Sequence, residues 1–370
     1  MNYKETLFFV AKCLTINHEE HNEIIIKNLL KSNAVDWDAV VKLSTAHYVF
    51  PALYCNLKRA SFLSYLPEEL VEYMKYITDL NRDRNKEIIE QAKELNELLL
   101  QNKITPIFLK GTGNLLEGLY EDIGERMVGD IDFIFSKKDY PKAIKLLTNN
   151  GYSSIYNKDY IFPGFRHYPR LIKYNEIAAI EIHKEILIKK YTQEFNYDFV
   201  KNSNLTINNV SVISFKNQLI LSTAASQIND QGFDNKSLTL RNAYDVFILS
   251  KKTIAKNTFS VFYELENPLT CFLASCYEVF NKPETLQYFE SKKIAQYLVG
   301  FNKNLCDREL AKKIAKKTRN KVFIYYRLNV IYKCFFYKAY RVWFLKTITD
   351  KNWRHEKMIQ LGLKKSKSKF

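Results

Sequence analysis

Two aspartates two residues apart in an apolar run, Asp130 and Asp132 of MVGDIDFIF, are the residues whose types and spacing first suggest chemistry. Side chains of an extended strand alternate between faces, so both carboxylates share one face while Ile131 and Phe133 point the other way. Two anions side by side repel each other unless a cation sits between them, and a divalent metal is the simplest answer. A third carboxylate separates a metal site from a solvated strand end. Glu181, in AAIEIHKEI, stands between Ile180 and Ile182 in a later strand-like run, and alternation puts His183 on its face. Asp130, Asp132 and Glu181 would then supply oxygen ligands to one or two Mg²⁺ or Mn²⁺ ions, hard cations that keep waters and bind substrate phosphates.

Upstream of the aspartates stands Lys110-Gly111-Thr112-Gly113, a small-residue turn opening a helix. Such a turn leaves backbone N–H groups and a helix N-terminus facing an anion. Lys110 and Arg126 are placed to neutralise phosphate charge, although Lys110 equally suits a surface strand end and Arg126 equally suits a pair with Glu121 or Glu125. His183 reads as a supporting group. Arg166 and His167, just before a strand, either support the site or cap a loop.

The elements that must position these residues follow from periodicity. The first hundred residues read as helices, IIIKNLLKS, VDWDAVVKLSTAHYVFPALYCNLKR and PEELVEYMKYITDLNRDRNKEIIEQAKELNELLLQN, with Ile88, Ile89, Ala92, Leu95, Leu98 and Leu99 forming one apolar stripe. From Thr105 the pattern changes to strand (ITPIFLK), helix (NLLEGLY), strand (MVGDIDFIF) and helix (DYPKAIKLLTNNGY), then three strand-like runs at YSSIYN, YPRLIKY and IAAIEIHKEI. That order predicts an α+β fold with one mixed sheet. Beyond about 215 the chain is helical again. The division expected is an N-terminal helical domain at 1–102, a catalytic domain at 103–214, a helical domain at 215–300, and a basic, aromatic-rich helical extension at 301–370 whose tail LKKSKSKF is disordered.

The formal charge of +16 is not spread over the chain. Residues 301–370 hold 20 Lys and Arg against 4 Asp and Glu, so residues 1–300 are neutral. Nucleic acid, an anionic membrane surface or an acidic partner therefore concerns that segment and not the carboxylates. Arg327, Lys333, Lys338 and Arg341 break its apolar run and argue against a transmembrane segment. Six cysteines without a CxxC pair, and no signal-peptide core in MNYKETLFFVAKCL, predict a reduced, cytoplasmic protein.

With these motifs the chain resembles the nucleotidyltransferases that share a DNA polymerase β-like palm: a small-residue turn opening a helix, an apolar-acid-apolar-acid-apolar strand, and an isolated acid in a later strand. More closely it resembles a bacterial family of mostly uncharacterised nucleotidyltransferases sharing LKG, R-x-x-x-D-I-D and acid-x-His. Asp36-Trp37, AHYVFPALY, LNRDRN, Arg166-His167 and LRNAYD extend the similarity over roughly residues 25–250. Thr112 stands where the wider superfamily has Ser, and His183 matches only the nearer family.

The resemblance implies transfer of a nucleoside monophosphate from an NTP to an acceptor with release of pyrophosphate. Asp130, Asp132 and Glu181 would be the catalytic metal ligands, and Lys110, Gly111, Thr112, Gly113 and Arg126 would bind phosphate. The acceptor stays open among a small molecule, RNA and protein, the last two in a toxin or defence role. A separate reading is an inactive palm that serves as a binding module through its basic C-terminal helices.

Overall fold

The computed structural model describes residues 1–154 and 161–360. Residues 1–154 with 166–314 form one compact unit, and the segment ending at Phe165 with the chain beyond 314 forms a second. The tail expected to be disordered, and the continuation of YSSIYN past residue 154, lie outside the described residues.

The larger unit starts with five helices, α1 (Tyr3–Thr15), α2 (Glu20–Lys31), α3 (Trp37–Ala46), α4 (Phe50–Arg59) and α5 (Glu68–Gln101). Asn2 caps α1 with a capping box, Asp36 caps α3, and Pro51 sits in the first turn of α4, so local chemistry fixes these starts. VDWDAVVKLSTAHYVFPALYCNLKR is two helices rather than one, because Tyr48 adopts a left-handed backbone (φ 57°) between them.

Next come β1 (Ile107–Phe108), α6 (Lys110–Leu116), β2 (Asp130–Ile134), α7 (Tyr140–Asn149), β3 (Ser153–Ser154), β4 (Leu171–Ile172), β5 (Ala179–His183), α8 (Tyr197–Val200), β6 (Asn204–Ile207) and β7 (Val210–Ile213). The strands make one mixed seven-stranded sheet in the order β3-β4-β5-β2-β1-β7-β6, the α+β arrangement expected. β2 is antiparallel to β1 and parallel to β5. The β6–β7 hairpin adds two strands that the sequence reading did not include. Its turn is Asn208-Asn209, both left-handed (φ 48° and 65°), the backbone of a two-residue hairpin loop.

Ile131, Phe133 and Phe135 form the apolar face of β2 and are 0–2% exposed. Phe133 meets Phe108 and Phe135 edge-on at 5.6 and 5.2 Å, anchoring the strand from the side opposite its aspartates.

The 34-residue α5 sets where the site strands begin. Arg84 donates to the carbonyls of Gly129 and Ile177, and Gln91 bonds both the N–H and the carbonyl of Ala178. Asn81 and Asn85 donate to the carbonyls of Ile123, Gly124 and Arg126 in the loop before β2. These asparagines are buried, so each bond satisfies a carbonyl that water cannot reach.

The helices α9 (Phe215–Ala224), α10 (Gly232–Asn235), α11 (Leu240–Ser250), α12 (Glu266–Val279) and α13 (Lys292–Cys306) complete this unit. The chain continues into α14 (Arg308–Phe336), α15 (Lys338–Thr349) and α16 (Lys351–Gln360). Within the smaller unit Phe162 is 7% exposed and packs its ring against Tyr326, Tyr340 and Trp343, the last at 4.8 Å. No helix among the described residues is long and apolar enough to cross a membrane.

Candidate functional site

The register of β2 and β5 sets Asp130 opposite Ala179, Asp132 opposite Glu181, and Ile134 opposite His183. Parallel neighbours project to the same side, so the three acids and the imidazole share one face. Asp132, Glu181 and His183 are buried, and Asp130 is partly open. The His183 imidazole lies with Nε2 2.7 Å from Asp132 Oδ1 and 3.6 Å from Glu181 Oε2. Its Nδ1 is buried with no hydrogen-bond partner among the described residues.

Two cations face the acids. The Lys110 ammonium donates to Asp132 Oδ1 at 2.6 Å and stands 3.9 Å from Glu181. The Arg170 guanidinium bridges the other two, at 2.6 Å from Asp130 and 2.8 Å from Glu181. Arg170 was not among the residues expected. Its position follows from the antiparallel pairing of Leu171 with Ile180, which sets Arg170, one residue before Leu171, against Glu181, one residue after Ile180.

Electrostatics divides the carboxylates. Burial and the adjacent Asp132 and Glu181 charges push the Asp130 carboxyl up to about 6. Burial pushes Asp132 up as well, but Lys110 and the His183 hydrogen bond outweigh it and hold this carboxyl below its ordinary value. Glu181 is held far below its own by His183, Lys110, His167 and Arg170, again against burial. Burial pulls the Lys110 ammonium down, and the Asp132 and Glu181 charges more than offset it.

The small-residue turn at Lys110-Gly111-Thr112-Gly113 opens α6 as expected, but its left-handed residue is not a glycine. Lys110 is the left-handed residue (φ 53°), a conformation a non-glycine side chain adopts at a cost of about 1 kcal/mol or more. Gly111 is required by close approach, since a Cβ there would lie 2.9 Å from Val128 Cγ2. At Gly113 a Cβ would lie 2.6 Å from Gln218 Nε2 and 3.2 Å from the Phe108 carbonyl. The Thr112 hydroxyl donates to the Asp130 carbonyl at 2.9 Å, tying α6 to β2, and the residue is buried.

Arg126 lies behind the turn, 7% exposed, with Asp245 of α11 at 2.9 Å and the Met127 carbonyl at 2.8 Å. Tyr120 donates to the other oxygen of Asp245 at 2.6 Å. The partners suggested by sequence, Glu121 and Glu125, are taken by Arg59, and Glu125 also accepts from Tyr244. Arg126 thus ties the loop before β2 to α11, while the separate Arg59–Glu125–Tyr244 chain links α4 to α11.

Further charged groups are coupled to the acids directly or through one another. The Arg166 side chain donates to the Ile186 carbonyl, which also accepts from Asn229, and His167 pairs in an antiparallel bridge with His183. Burial lowers the Arg166 guanidinium pKa, opposed by Asp230, Glu181 and Asp132. Arg241, one turn before Asp245 on α11, lies over the Tyr48 ring at 4.9 Å, and its Nε is buried without a partner among the described residues. Burial and the Arg126 charge lower its pKa, against Asp245 and Asp230. Asp230, pushed up by burial, feels Arg241, Lys110 and Arg166. Arg241 and Asp245 fall in the LRNAYD stretch, which the sequence reading took as part of the resemblance without giving either residue a role, and Asp230, away from every quoted motif, carries no local pattern.

Asp132, Glu181 and His183 each offer one ligand atom within 4.8 Å of the others, a donor set that fits a divalent ion. An imidazole beside two carboxylates suits Mn²⁺ better than Mg²⁺, which prefers oxygen alone. Asp130, turned to Arg170, is the remaining oxygen donor at the rim.

No curated protein and no solved structure matches this chain. The model of one family, described as uncharacterised nucleotidyltransferases, matches residues 33–277, a span that holds α5, the whole sheet and α11. The chain belongs to this family of uncharacterised nucleotidyltransferases.

Proposed function

We propose that the protein is a metal-dependent nucleotidyltransferase built on a polymerase β-like palm at 103–214, flanked by helical segments, that moves a nucleoside monophosphate from an NTP to a hydroxyl or phosphate acceptor. The observation that carries this reading is the pairing of Asp132 with Glu181, which gathers three carboxylates beside the strained Lys110 turn. A bound Mg²⁺ or Mn²⁺, held by Asp132, Glu181 and His183 with Asp130 at its edge, would neutralise charge on the phosphates.

The chain's own groups have definite tasks. The acceptor oxygen attacks the α-phosphorus, the bond to the bridging oxygen breaks, and pyrophosphate leaves. Asp130, with a pKa of about 6, is the carboxylate best matched to take the acceptor's proton near neutral pH. Lys110 and the leading N–H groups of the turn orient the phosphates, and the guanidinium groups of Arg166 and Arg241 draw the charge of the leaving pyrophosphate. Thr112, Gly113 and Arg126 hold the turn in shape from behind. His167 supports His183.

The test is incubation of the purified protein with each α-labelled NTP, Mg²⁺ or Mn²⁺, and cell extract. Label transferred from one NTP, and lost with Asp132→Asn, supports the reading. Label in RNA or protein identifies a macromolecular acceptor, and label in small metabolites a small one.

A second reading is favoured by one observation, that Lys110 and Arg170 already neutralise the acids. On it the palm is inactive and serves as a binding module. No NTP binding with either metal, together with no effect of Asp132→Asn on metal response, would select it.

A further inference from the structure

The smaller unit carries a surface that nucleotidyl transfer does not use. Between residues 322 and 348 fifteen large apolar or aromatic side chains are exposed, and Tyr325, Leu328, Tyr332, Phe335, Phe336 and Leu345 are each more than 60% exposed. On α14, Ile324, Leu328, Ile331 and Phe335 recur at four- and three-residue spacing, making one stripe along the helix. Lys317 and Lys321, both exposed, continue that stripe toward the N-terminus. Tyr326 and Trp343 turn to Phe162 instead, so the stripe is not the face that packs within the unit. Residues 315–349 contain nine Lys and Arg and no Asp or Glu.

We propose that this surface docks on the anionic leaflet of a lipid bilayer, with α14 lying in the plane of the interface. An uninterrupted positive charge needs an anionic partner, and the exposed aliphatic stripe needs an apolar one. A leaflet offers both, headgroup above acyl chain, and the Tyr and Trp rings suit the boundary. RNA would match the charge and leave Ile324, Leu328 and Ile331 in water. A second copy would cover the stripe but bring together two segments that each hold nine basic and no acidic residues. No helix among the described residues is apolar and long enough to span, so the helix lies on the membrane rather than across it.

The test is co-sedimentation of the full chain with vesicles of phosphatidylcholine alone or mixed with phosphatidylglycerol. Binding to the mixed vesicles only, released by salt, is expected. Lys316→Gln/Lys317→Gln/Lys321→Gln should weaken partitioning by roughly a hundredfold, at roughly fivefold per basic residue near the leaflet. Leu328→Ser/Phe335→Ser should weaken it as well, with circular dichroism unchanged in both variants. No sedimentation with anionic vesicles overturns the proposal. So does binding to an RNA homopolymer that the Leu328→Ser/Phe335→Ser variant retains in full, or a dimer in light scattering that the same variant splits while wild type ignores vesicles.

Discussion

Asp132 and Glu181 stand directly opposite each other in the parallel pair β2 and β5, with Lys110 against the first and Arg170 against the second. Neighbouring carboxylates on adjacent parallel strands are destabilising unless cations separate them. Here side chains supply those cations, so a metal must compete with Arg170 for two of its oxygens. Arg170→Gln should therefore lower the Mn²⁺ concentration that half-saturates the thermal shift, by about tenfold, the equivalent of about 1.4 kcal/mol. An unchanged midpoint would mean that Arg170 and the ion use different oxygens.

Asp130 makes a prediction about stability and pH. Its carboxyl is raised from 3.8 to about 6, so between those values the folded chain holds a proton that the unfolded chain releases. Stability must then fall as pH rises through this window, and the whole loss is present above pH 6. Asp130→Asn removes the loss. Without metal the variant should be more stable than wild type at pH 7 by about 2 kcal/mol, and no different at pH 3.5, as measured by urea unfolding. The same variant should lose most of the stabilisation by Mn²⁺.

Arg241 tests the phosphate reading. Its guanidinium rests on Tyr48, and its Nε lacks a partner among the described residues, so these give it few contacts to lose. Arg241→Ala should raise the KM for NTP about tenfold or more while the melting temperature moves little. A large loss of stability with an unchanged KM would make Arg241 a packing residue.

How far the sequence reveals this site depends on the range of each contact. Asp130, Asp132, Glu181 and His183 sit on strands whose alternation is local, so period two predicts that Asp130 shares a face with Asp132 and Glu181 with His183, while the β2–β5 register brings the two pairs together. The α+β order likewise follows from runs of six to thirty residues. Arg126 is different, because its partner Asp245 is 119 residues away and its nearer candidates Glu121 and Glu125 are claimed by Arg59. Arg170 reaches the acids only through the pairing of β4 with β5, a register that alternation within one strand does not specify. The β6–β7 hairpin hid behind Asn208-Asn209, where two asparagines supply the left-handed turn more often written with glycine.

Arg126 and Asp245 predict a cost of their own. The pair is nearly inaccessible, and Tyr120 donates to the same carboxylate. Removing one partner leaves a buried charge, so Asp245→Ala should destabilise by about 3–5 kcal/mol. Replacing both, as Arg126→Met/Asp245→Leu, should recover at least half of that in urea unfolding, because no uncompensated charge is left. If the double variant is as unstable as the single one, the pair holds the turn by geometry rather than by charge.

Glu117, just past α6, is a half-buried residue with buried carboxyl oxygens that the proposed chemistry does not use. Neither carboxyl oxygen has a hydrogen-bond partner among the described residues, and burial raises the group from 4.5 to about 8. The folded chain therefore keeps this proton through neutral pH while the unfolded chain releases it near 4.5. Stability due to this group falls as pH rises from 4.5 to about 8 and is lowest above that. Glu117→Gln keeps the shape and removes the titration. The variant should match wild type near pH 4 and exceed it by roughly 2–4 kcal/mol at pH 9, read from urea midpoints at each pH. Parallel pH profiles for the two proteins would show that Glu117 is hydrated or paired in solution.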